Sequence, residues 1–257
     1  MKRVKPKKHL GQHFLKDATI AEAIVDAFNQ DRKSCNALEV GFGMGVLTKF
    51  LIERSDLNLS IIDIDSESIK YIHQQIEIAP EKLIEGDFLK LDLKQLFKGE
   101  KFSIIGNFPY NISTQILFKT LEHKDQVKEV VGMFQKEVAE RIVSPEGSKV
   151  YGISSVLLQA YYDMEYLFTV DENVFNPPPK VKSAVIRLRR NDTLKLNCNE
   201  KRFTSLVKMA FNQRRKTMRN SLKSILPEEL KNKEIFSKRP EQLSVQDFIA
   251  LTNLLTT

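Results

Sequence analysis

The chain has 257 residues, of which 42% are hydrophobic and 28% are charged, so it can bury a sizeable core in one large domain, with or without a small appendage. No run approaches the roughly 18 apolar residues of a membrane span, and no apolar stretch follows the basic N-terminus, which excludes a secretory signal. The two cysteines, Cys35 and Cys198, lie far apart in the sequence. We therefore expect no disulfide framework and a reducing, cytoplasmic setting.

The histidines do not form the pattern of a metal site. The chain has four, and His9 and His13 stand four positions apart. Gly11 lies between them, no carboxylate is near, and the segment is strongly basic. We therefore expect no metal ion to be bound.

The positive charge is concentrated in two segments that contain no acidic residue. The net charge is +7; residues 1–16 hold six lysines and arginines, residues 201–226 hold eight, and the rest holds 26 basic against 33 acidic residues. A solvated helix face usually mixes both signs, whereas a polyanion favours basic segments because they release its condensed counterions. Nucleic acid is the expected partner, although charge alone does not distinguish RNA from DNA. An anionic membrane is the weaker alternative, because the apolar residues of 203–226 are expected to form a helical core.

The apolar periodicity predicts strands and helices that alternate through the first three quarters of the chain. Asp17 is expected to cap the first helix. We predict strands at 37–40, 59–63, 82–85, 102–106, 129–134, 166–170 and 183–189, and helices at 17–29, 46–54, 66–79, 114–121, 136–143 and 153–162. Such alternation predicts an α/β fold with a mostly parallel sheet covered on both faces, and the late strands suggest an antiparallel edge.

The C-terminal quarter differs in pattern from the rest of the chain. From Asn199 to Leu255 the apolar spacing is helical throughout. We therefore predict one domain over residues 1–190 and a small all-α domain over residues 191–257.

A glycine-rich turn follows the first predicted strand and precedes a helix. Such a turn lets the backbone approach a ligand, and the helix N-terminus favours negative charge. The turn reads Gly41-Phe-Gly43-Met-Gly45, and Val46 stands where a dinucleotide fingerprint needs its last glycine. On its own the turn is a weak signal, but Glu39 lies just inside the strand end and faces it.

Acidic residues also end the next two predicted strands. Asp63 is placed to accept hydrogen bonds from both hydroxyls of a ribose. It could instead cap a helix, although Asp65 and Ser66 already serve that purpose. Asp87 could accept from an adenine amino group while Phe88 packs on the ring, and an ordinary loop aspartate is an equally good interpretation of Asp87 alone.

The sequence Asn107-Phe108-Pro109-Tyr110 follows the fourth strand, at the edge where open α/β sheets bind ligands. An adenine amino group is a poor nucleophile because its lone pair is delocalised into the ring. The Asn107 side-chain oxygen and a backbone carbonyl can each accept one of its hydrogens, which favours the pyramidal form that attacks. Pro109 fixes the loop and Tyr110 offers a flat face to a flipped base. Catalysis would then consist of positioning and electrostatics.

Taken together, these residues resemble those of the bacterial small-subunit ribosomal RNA adenine dimethyltransferases, which use S-adenosylmethionine. The resemblance covers nearly the whole sequence. Its six blocks are Lys8–Leu15, Glu39–Thr48, Asn107–Tyr110, Gln135–Ala139, Pro177–Val181 and Phe211–Thr217. Six ordered blocks are far more specific than any one of them.

The resemblance implies a Rossmann-like class I methyltransferase domain with a basic N-terminal arm at 1–190 and a helical RNA-binding domain at 191–257. It implies cofactor-binding roles for Gln12, His13, Glu39, Gly41, Gly43, Asp63, Asp87, Phe88 and Asn107. It implies catalytic roles around the target base for Asn107, Pro109, Tyr110 and Phe175, with Phe175 opposite Tyr110. The RNA-binding residues would be Arg214, Arg215, Lys216 and Arg219. The arm is expected to close over the site.

The sequence departs from the family's usual residues at four of these positions. His13 stands in place of Asn, Phe42 in place of Pro, Asp63 in place of Glu, and Phe108 in place of Leu. Each preserves plausible chemistry, and the shorter Asp63 would have to reach further to the ribose.

The expected activity is S-adenosylmethionine-dependent dimethylation of two adjacent adenosines near the 3′ end of small-subunit (16S) RNA, by a monomer whose partner is the small ribosomal subunit. Two alternatives remain open: a large-subunit RNA methyltransferase that confers antibiotic resistance, and a non-catalytic assembly factor on the same fold. The C-terminal domain favours the small-subunit group, and the intact Glu39, Asp87 and Asn107 argue against a pure binder. The last glycine of the dinucleotide fingerprint is replaced by Val46, which disfavours a nicotinamide dehydrogenase.

Overall fold

The computed structural model describes residues 4–255, which form strands and helices in the alternation that the sequence predicts. In chain order these are β1 (Phe14–Leu15), α1 (Ala18–Ala27), β2 (Cys35–Val40), α2 (Thr48–Leu51), β3 (Leu57–Asp63), α3 (Ser66–Gln75), β4 (Leu83–Glu85), α4 (Leu93–Leu96), β5 (Phe102–Asn107), α5 (Ser113–Glu122), β6 (Val127–Gln135), α6 (Lys136–Val143), α7 (Ile153–Gln159), β7 (Tyr162–Val170), β8 (Phe175–Asn176), β9 (Ser183–Arg190), α8 (Glu200–Asn212), α9 (Met218–Ser221) and α10 (Val245–Leu254).

Seven of the strands form one sheet in the order β4-β3-β2-β5-β6-β9-β7. The five strands from β4 to β6 are parallel, and β9 pairs antiparallel with β6. The predicted mostly parallel sheet with an antiparallel edge is confirmed. The strand order reverses between β2 and β5, so the carboxyl ends of these two strands flank the point where open sheets of this kind bind ligands.

The local sequence explains where α1, which packs against this sheet, begins. The Asp17 carboxylate accepts hydrogen bonds from the backbone N–H groups of Thr19 and Ile20, which caps α1 as predicted. The buried face of α1 includes Ile24 and Val25, which join a core cluster with apolar residues of β2, β5, β6 and β9. Burial of this helix face against the central strands holds α1 on the sheet that carries the site.

The described residues divide into two compact units. The first comprises residues up to Ala139 together with Met164–Arg190, and the second comprises Glu140–Asp163 and the residues from Asn191 onward. The sequence assigned Glu140–Asp163 to the first domain, and the structure differs because α7 packs on α8 and α10. Within that second unit the Tyr151 ring lies edge-on to Phe211, with centroids 6.1 Å apart. Among residues 4–255, no helix is both long and apolar enough to cross a membrane.

Other differences are local. The predicted helix at 153–162 ends at Gln159, and β7 begins at Tyr162. The C-terminal region is helical, but short 3-10 turns separate α9 from α10. Two strands of two residues each, β1 and β8, escaped prediction; they pair antiparallel, with Leu15 opposite Phe175. That pairing joins the basic arm to the loop before β9.

Candidate active site

A cavity that is partly open to solvent lies at the carboxyl ends of the parallel strands. It brings together ten of the residues that the sequence singles out: Gln12, His13, Gly41, Gly43, Asp63, Asp87, Phe88, Asn107, Pro109 and Tyr110. Glu39 lines a smaller adjoining cavity, which shares Gly41, Gly43 and Asn107 with the first. The edge of the sheet therefore collects residues that are far apart in sequence.

The glycine turn packs closely against the arm and the loop after β5. Gly41 has φ +74° and Gly43 has φ +55°, a region that side chains disfavour. A Cβ at Gly43 would lie 2.9 Å from the Phe14 ring, and one at Gly41 would lie 3.3 Å from Cδ of Pro109. Both positions therefore need glycine for conformation and for space.

Asp63 holds the glycine turn in place from the end of β3. Its carboxylate accepts the backbone N–H groups of Gly43 and Asp65, each at 2.9 Å. The residue is buried, and burial raises the pKa of its carboxyl above the ordinary value. The shorter side chain at this position thus has a structural task as well as its position on the cavity wall.

Glu39 is the most strongly perturbed acid of the site. Its side chain is buried at the end of β2 and accepts a hydrogen bond of 2.7 Å from the Thr48 hydroxyl. Burial raises the pKa of Glu39 to about 8, and the charge of Asp63 acts in the same direction. The carboxyl is therefore largely protonated at neutral pH, and a positive charge nearby would favour its ionised form.

The arm is tied to the rim of the cavity by Asp65. Lys7 forms an ion pair with Asp65 and lies 3.4 Å from Glu67. The Gln12 amide donates to Asp65 at 3.0 Å, and its oxygen accepts the backbone N–H of Lys7 at 2.8 Å. The hydrogen bond to Asp65 raises the pKa of Lys7. Burial raises the pKa of Asp65, but Lys7 and Gln12 outweigh it and hold that pKa below its usual range.

Sequence reasoning recognised Asp65 as the cap of α3 and missed its contact with the arm. Asp65 does cap α3, through the backbone N–H of Glu67 at 3.0 Å. The available signal was electrostatic: an arm without acids needs a carboxylate where it folds back on the body.

The loop after β5 is held from two sides. The Asn107 side-chain nitrogen donates to the backbone oxygen of His13 at 2.9 Å, which leaves its oxygen as the acceptor for other partners. The Tyr110 hydroxyl is hydrogen-bonded to the Ser183 hydroxyl at the start of β9. Burial raises the pKa of Tyr110, so its phenol stays neutral. The loop is thus fixed, and among residues 4–255 no group donates a hydrogen bond to the side-chain oxygen of Asn107.

Phe175, which is predicted to lie opposite Tyr110, is buried in this structure, and its role at the target base stays a prediction. Phe175 is 1% exposed and packs in a core cluster with Leu15, Ile24 and Phe28, and neither cavity is lined by it. The cause is the β1–β8 pairing, in which side chains alternate: Phe175 faces the core and Asn176 faces solvent. The ring that stacks on Tyr110 is that of His13, with centroids 5.3 Å apart.

The turn after β4 is supported by a lysine that sequence reasoning missed. Asp87 caps a 3-10 helix by accepting the backbone N–H of Leu89 at 2.9 Å, while Phe88 is buried at the cavity wall. Lys119 of α5 donates to the backbone oxygens of Leu89 and Leu91 at 2.9 and 2.6 Å. Its ammonium lies 5.5 Å from the centre of the Phe88 ring, and burial lowers its pKa. No local pattern indicates such a contact.

The two aromatic departures from the family pattern are packed inside the first unit. Phe42 is buried in a cluster with Ile61, Ile72 and Ile76. Phe108 is buried edge-on to Phe134, with centroids 5.2 Å apart. Both residues also line the cavities: Phe108 lines the larger one and Phe42 the smaller one.

The basic residues predicted to bind RNA lie between α8 and the end of α9, in the second unit. Arg215, Lys216 and Arg219 are exposed, and Arg214 donates a hydrogen bond to the backbone oxygen of Lys149. Their cationic groups are therefore presented to solvent on a short, well-packed segment. Among residues 4–255, no three His, Cys, Asp or Glu side chains are grouped as metal ligands.

The sheet order, the glycine turn and the acids at the ends of β2 and β3 define a class I methyltransferase fold. A family model described as ribosomal RNA adenine dimethylase matches residues 3–256. The chain belongs to the ribosomal RNA adenine dimethylase family.

Similar proteins extend over the full chain. It is 56% identical over 257 residues to ribosomal RNA small subunit methyltransferase A of Cytophaga hutchinsonii, covering 100% of this chain and 99% of that protein. It is 56% identical to the protein of the same name from Flavobacterium johnsoniae, covering 98% and 96%.

Two solved structures share the fold. A dimethyladenosine transferase from Plasmodium falciparum superposes with a TM-score of 0.80 at 26% identity, covering 95% of this chain and 98% of that one. The 23S rRNA methyltransferase ErmE superposes with a TM-score of 0.70 at 23% identity, covering 93% and 99%, and at that identity it shows the fold alone.

Proposed function

We propose that this enzyme transfers methyl groups from S-adenosylmethionine to the 6-amino groups of two adjacent adenosines near the 3′ end of small-subunit ribosomal RNA, during ribosome biogenesis. The observation that carries the proposal is the Asn107 amide, fixed through its nitrogen at the carboxyl end of β5 with its oxygen available as an acceptor. The names of the relatives at 56% identity support the small subunit over the large one.

The residues at the cavity fit S-adenosylmethionine. Glu39 suits the cationic end of the cofactor. Its carboxyl is buried, which raises its pKa to about 8, and a bound positive charge would offset that effect and favour the ionised carboxylate. Gly41 and Gly43 carry no side chains at the point where the turn meets Pro109 and Phe14, so the backbone itself can face a ligand. Gln12, His13, Glu39, Gly41 and Gly43 would hold the methionine end, Asp63 the ribose, and Asp87 and Phe88 the adenine.

The chemistry needs little from the protein beyond position. When bound, S-adenosylmethionine would supply an electrophilic methyl group and leave as its thioether, and the amine that receives the methyl group would lose one proton to water. Asn107 accepts one amine hydrogen and directs the nitrogen lone pair at the cofactor side of the cavity. Pro109 fixes the loop, and the Tyr110 ring carries the base by stacking. A second transfer to the same nitrogen uses the same contacts.

The second unit supplies RNA affinity in this proposal. Arg214, Arg215, Lys216 and Arg219 contact phosphates, because cationic side chains in an acid-free segment gain affinity through counterion release. We assign catalysis to the first unit and RNA binding to the second. The enzyme acts as a monomer in the cytoplasm, where its ribosomal substrate is assembled.

The test uses labelled S-adenosylmethionine with separately purified, unmethylated small and large ribosomal subunits. We expect label in the RNA of the small subunit, recovered after hydrolysis as dimethyladenosine. Label in the large subunit would assign the enzyme to the other RNA. Cofactor binding without label in either subunit would contradict the proposed substrate, and no cofactor binding would contradict catalysis itself.

A further inference from the structure

We propose that Lys119 of α5 is a positioning residue for the adenine end of the cofactor, because it holds the turn that carries Asp87 and Phe88. The inference rests on the proposed function, in which those two residues bind the adenine. Neither of the two cavities is lined by Lys119. The lysine therefore acts through the turn and does not itself contact the cofactor.

The turn after β4, residues 86–91, forms one wall of the larger cavity. Four of its residues line that cavity: Gly86, Asp87, Phe88 and Leu89. The turn follows a strand of three residues at the edge of the sheet, and at its start the Gly86 N–H donates to the backbone oxygen of Asp63 at 2.9 Å. Segments with few packing contacts open most easily, so the position of this wall depends on what holds the far end of the turn.

Lys119 holds that far end. Its ammonium donates to the backbone oxygens of Leu89 and Leu91 at 2.9 and 2.6 Å. These oxygens lie at the end of the 3-10 helix Phe88–Lys90, and the last carbonyls of a helix lack partners within it and attract a cation. The same ammonium lies 5.5 Å from the centre of the Phe88 ring. One side chain thus fixes both the backbone of the turn and the aromatic ring that it carries.

The surroundings of Lys119 give this contact a defined position. The residue is half-buried, and burial lowers its pKa, although Asp87, Asp92 and Glu122 favour its charged form. A lysine normally keeps its ammonium in water, because removing a charge from water costs free energy. The two charge-assisted hydrogen bonds offset that cost only while the turn keeps its place. Lys119 therefore favours one arrangement of the cavity wall.

The catalytic loop is held by other contacts. At the first turn of α5, the Ser113 hydroxyl donates to the backbone oxygen of Tyr110 at 3.2 Å, whereas Lys119 lies in the last turn of the same helix. The Asn107 amide and the Tyr110 hydroxyl are held by the arm and by β9. Loss of Lys119 should therefore release the adenine wall and leave the catalytic loop in place. The effect is expected on cofactor affinity and not on kcat.

The experiment separates the charge of Lys119 from the length of its side chain. Lys119→Met keeps the length and removes the donors, and Lys119→Arg keeps both charge and donors. Lys94→Met is the matched control, since it removes the same charge from an exposed position on α4. Calorimetry measures the Kd for S-adenosylhomocysteine and for 5′-methylthioadenosine, which contains the adenosine and lacks the amino acid. Turnover on unmethylated small subunits gives kcat and the KM for S-adenosylmethionine.

We expect Lys119→Met to weaken the Kd for both ligands about tenfold, the scale of one hydrogen bond to a charged group. Lys119→Arg should stay within about threefold of the original, and Lys94→Met within about twofold, because exposed charges contribute little. In Lys119→Met the KM for S-adenosylmethionine should rise with the Kd, while kcat at saturating cofactor stays within about twofold.

Three results would overturn the proposal. The first is an unchanged affinity of Lys119→Met for 5′-methylthioadenosine. The second is a loss confined to S-adenosylhomocysteine, because such a loss does not arise at the adenine end. The third is a lower kcat with an unchanged KM, which would assign the lysine to the chemical step. If Lys119→Met does not fold, Lys119→Gln carries the same test, with a Kd expected between those of the original and a tenfold loss.

The proposal and the proposed function fail in different measurements. If the original protein binds both ligands but labels neither ribosomal subunit, the proposed substrate is wrong, and a weaker Kd in Lys119→Met still supports the role of the lysine. If small-subunit RNA is labelled and Lys119→Met binds 5′-methylthioadenosine as tightly as the original, the role of the lysine is refuted and the proposed function stands.

Discussion

In the basic arm, Lys7 is paired with Asp65 and Glu67, whereas Arg215, Lys216 and Arg219 of the second unit are exposed to solvent. Both segments lack acidic residues, so composition alone predicts that both bind a polyanion. The structure separates Lys7 from the exposed cations by its surroundings, since Lys5, Lys8 and Lys16 of the arm are exposed as well. A cation that is paired with a buried carboxylate positions its own chain, while an exposed cation is available to phosphate. Net charge therefore indicates a partner only after the internal pairs have been subtracted.

The largest expected effect is that of replacing Asn107, whose side chain joins the catalytic loop to the arm. Asn107→Ala should lower kcat by at least about 100-fold, because it removes the acceptor that holds the reacting amine. The Kd for RNA should change by less than about twofold, since phosphate contacts lie elsewhere. Single-turnover methylation and filter binding measure the two. Asn173→Ala, at an exposed position in the 3-10 helix after β7, is the control. Activity near the original level in Asn107→Ala would remove the amine-holding role.

The exposed segment is tested by charge removal. Replacing Arg214, Arg215 and Lys216 by Ala should weaken RNA binding roughly 30-fold at moderate salt and make the slope of log K against log salt shallower by about 2. The Kd for S-adenosylmethionine should stay constant. The matched control removes three exposed lysines of the first unit: Lys94, Lys98 and Lys101. An equal loss in the control would mean that binding follows total charge and that the segment has no special part.

The affinity for S-adenosylmethionine should depend on pH, because the carboxyl of Glu39 is buried. Because burial raises the pKa of Glu39 to about 8, the carboxyl must lose its proton before it can pair with a cation. Affinity for S-adenosylmethionine should therefore rise about tenfold between about pH 7 and about pH 9. Calorimetry in that range measures it. Glu39→Gln should bind more weakly and with a flat profile; a profile as steep as the original would assign the titration to another group.

The smallest expected effect is that of the paired lysine. Lys7→Met should weaken the Kd for S-adenosylmethionine about fivefold, because the arm that carries Gln12 loses its ion pair to Asp65. Lys8→Met removes the same charge from an exposed neighbour and is the control. Stopped-flow release of the cofactor should be faster in Lys7→Met. If both variants behave alike, the pairing of Lys7 has no bearing on cofactor retention.

The sequence predicts those parts of the site that depend on strand ends. Asp63 and Asn107 were placed correctly at the cavity because parallel strands deliver their last residues to one edge. The burial of Phe175 could not be predicted, because the direction of its side chain depends on β8, a strand of two residues that pairs with β1. Lys119 and Asp65 were missed because their contacts join positions far apart in sequence. Periodicity carries no information on such pairings.

The Phe108 ring, described above as a departure from the family pattern, has a spatial counterpart on the neighbouring strand. A Cβ at Gly132 of β6 would lie 2.1 Å from Cε2 of the Phe108 ring, and one at Gly106 would lie 2.8 Å from its Cε1. The ring thus occupies the width that two side chains on adjacent strands would otherwise fill. A side chain at position 132 would collide with the Phe108 ring, so the residues at positions 108 and 132 must be changed together.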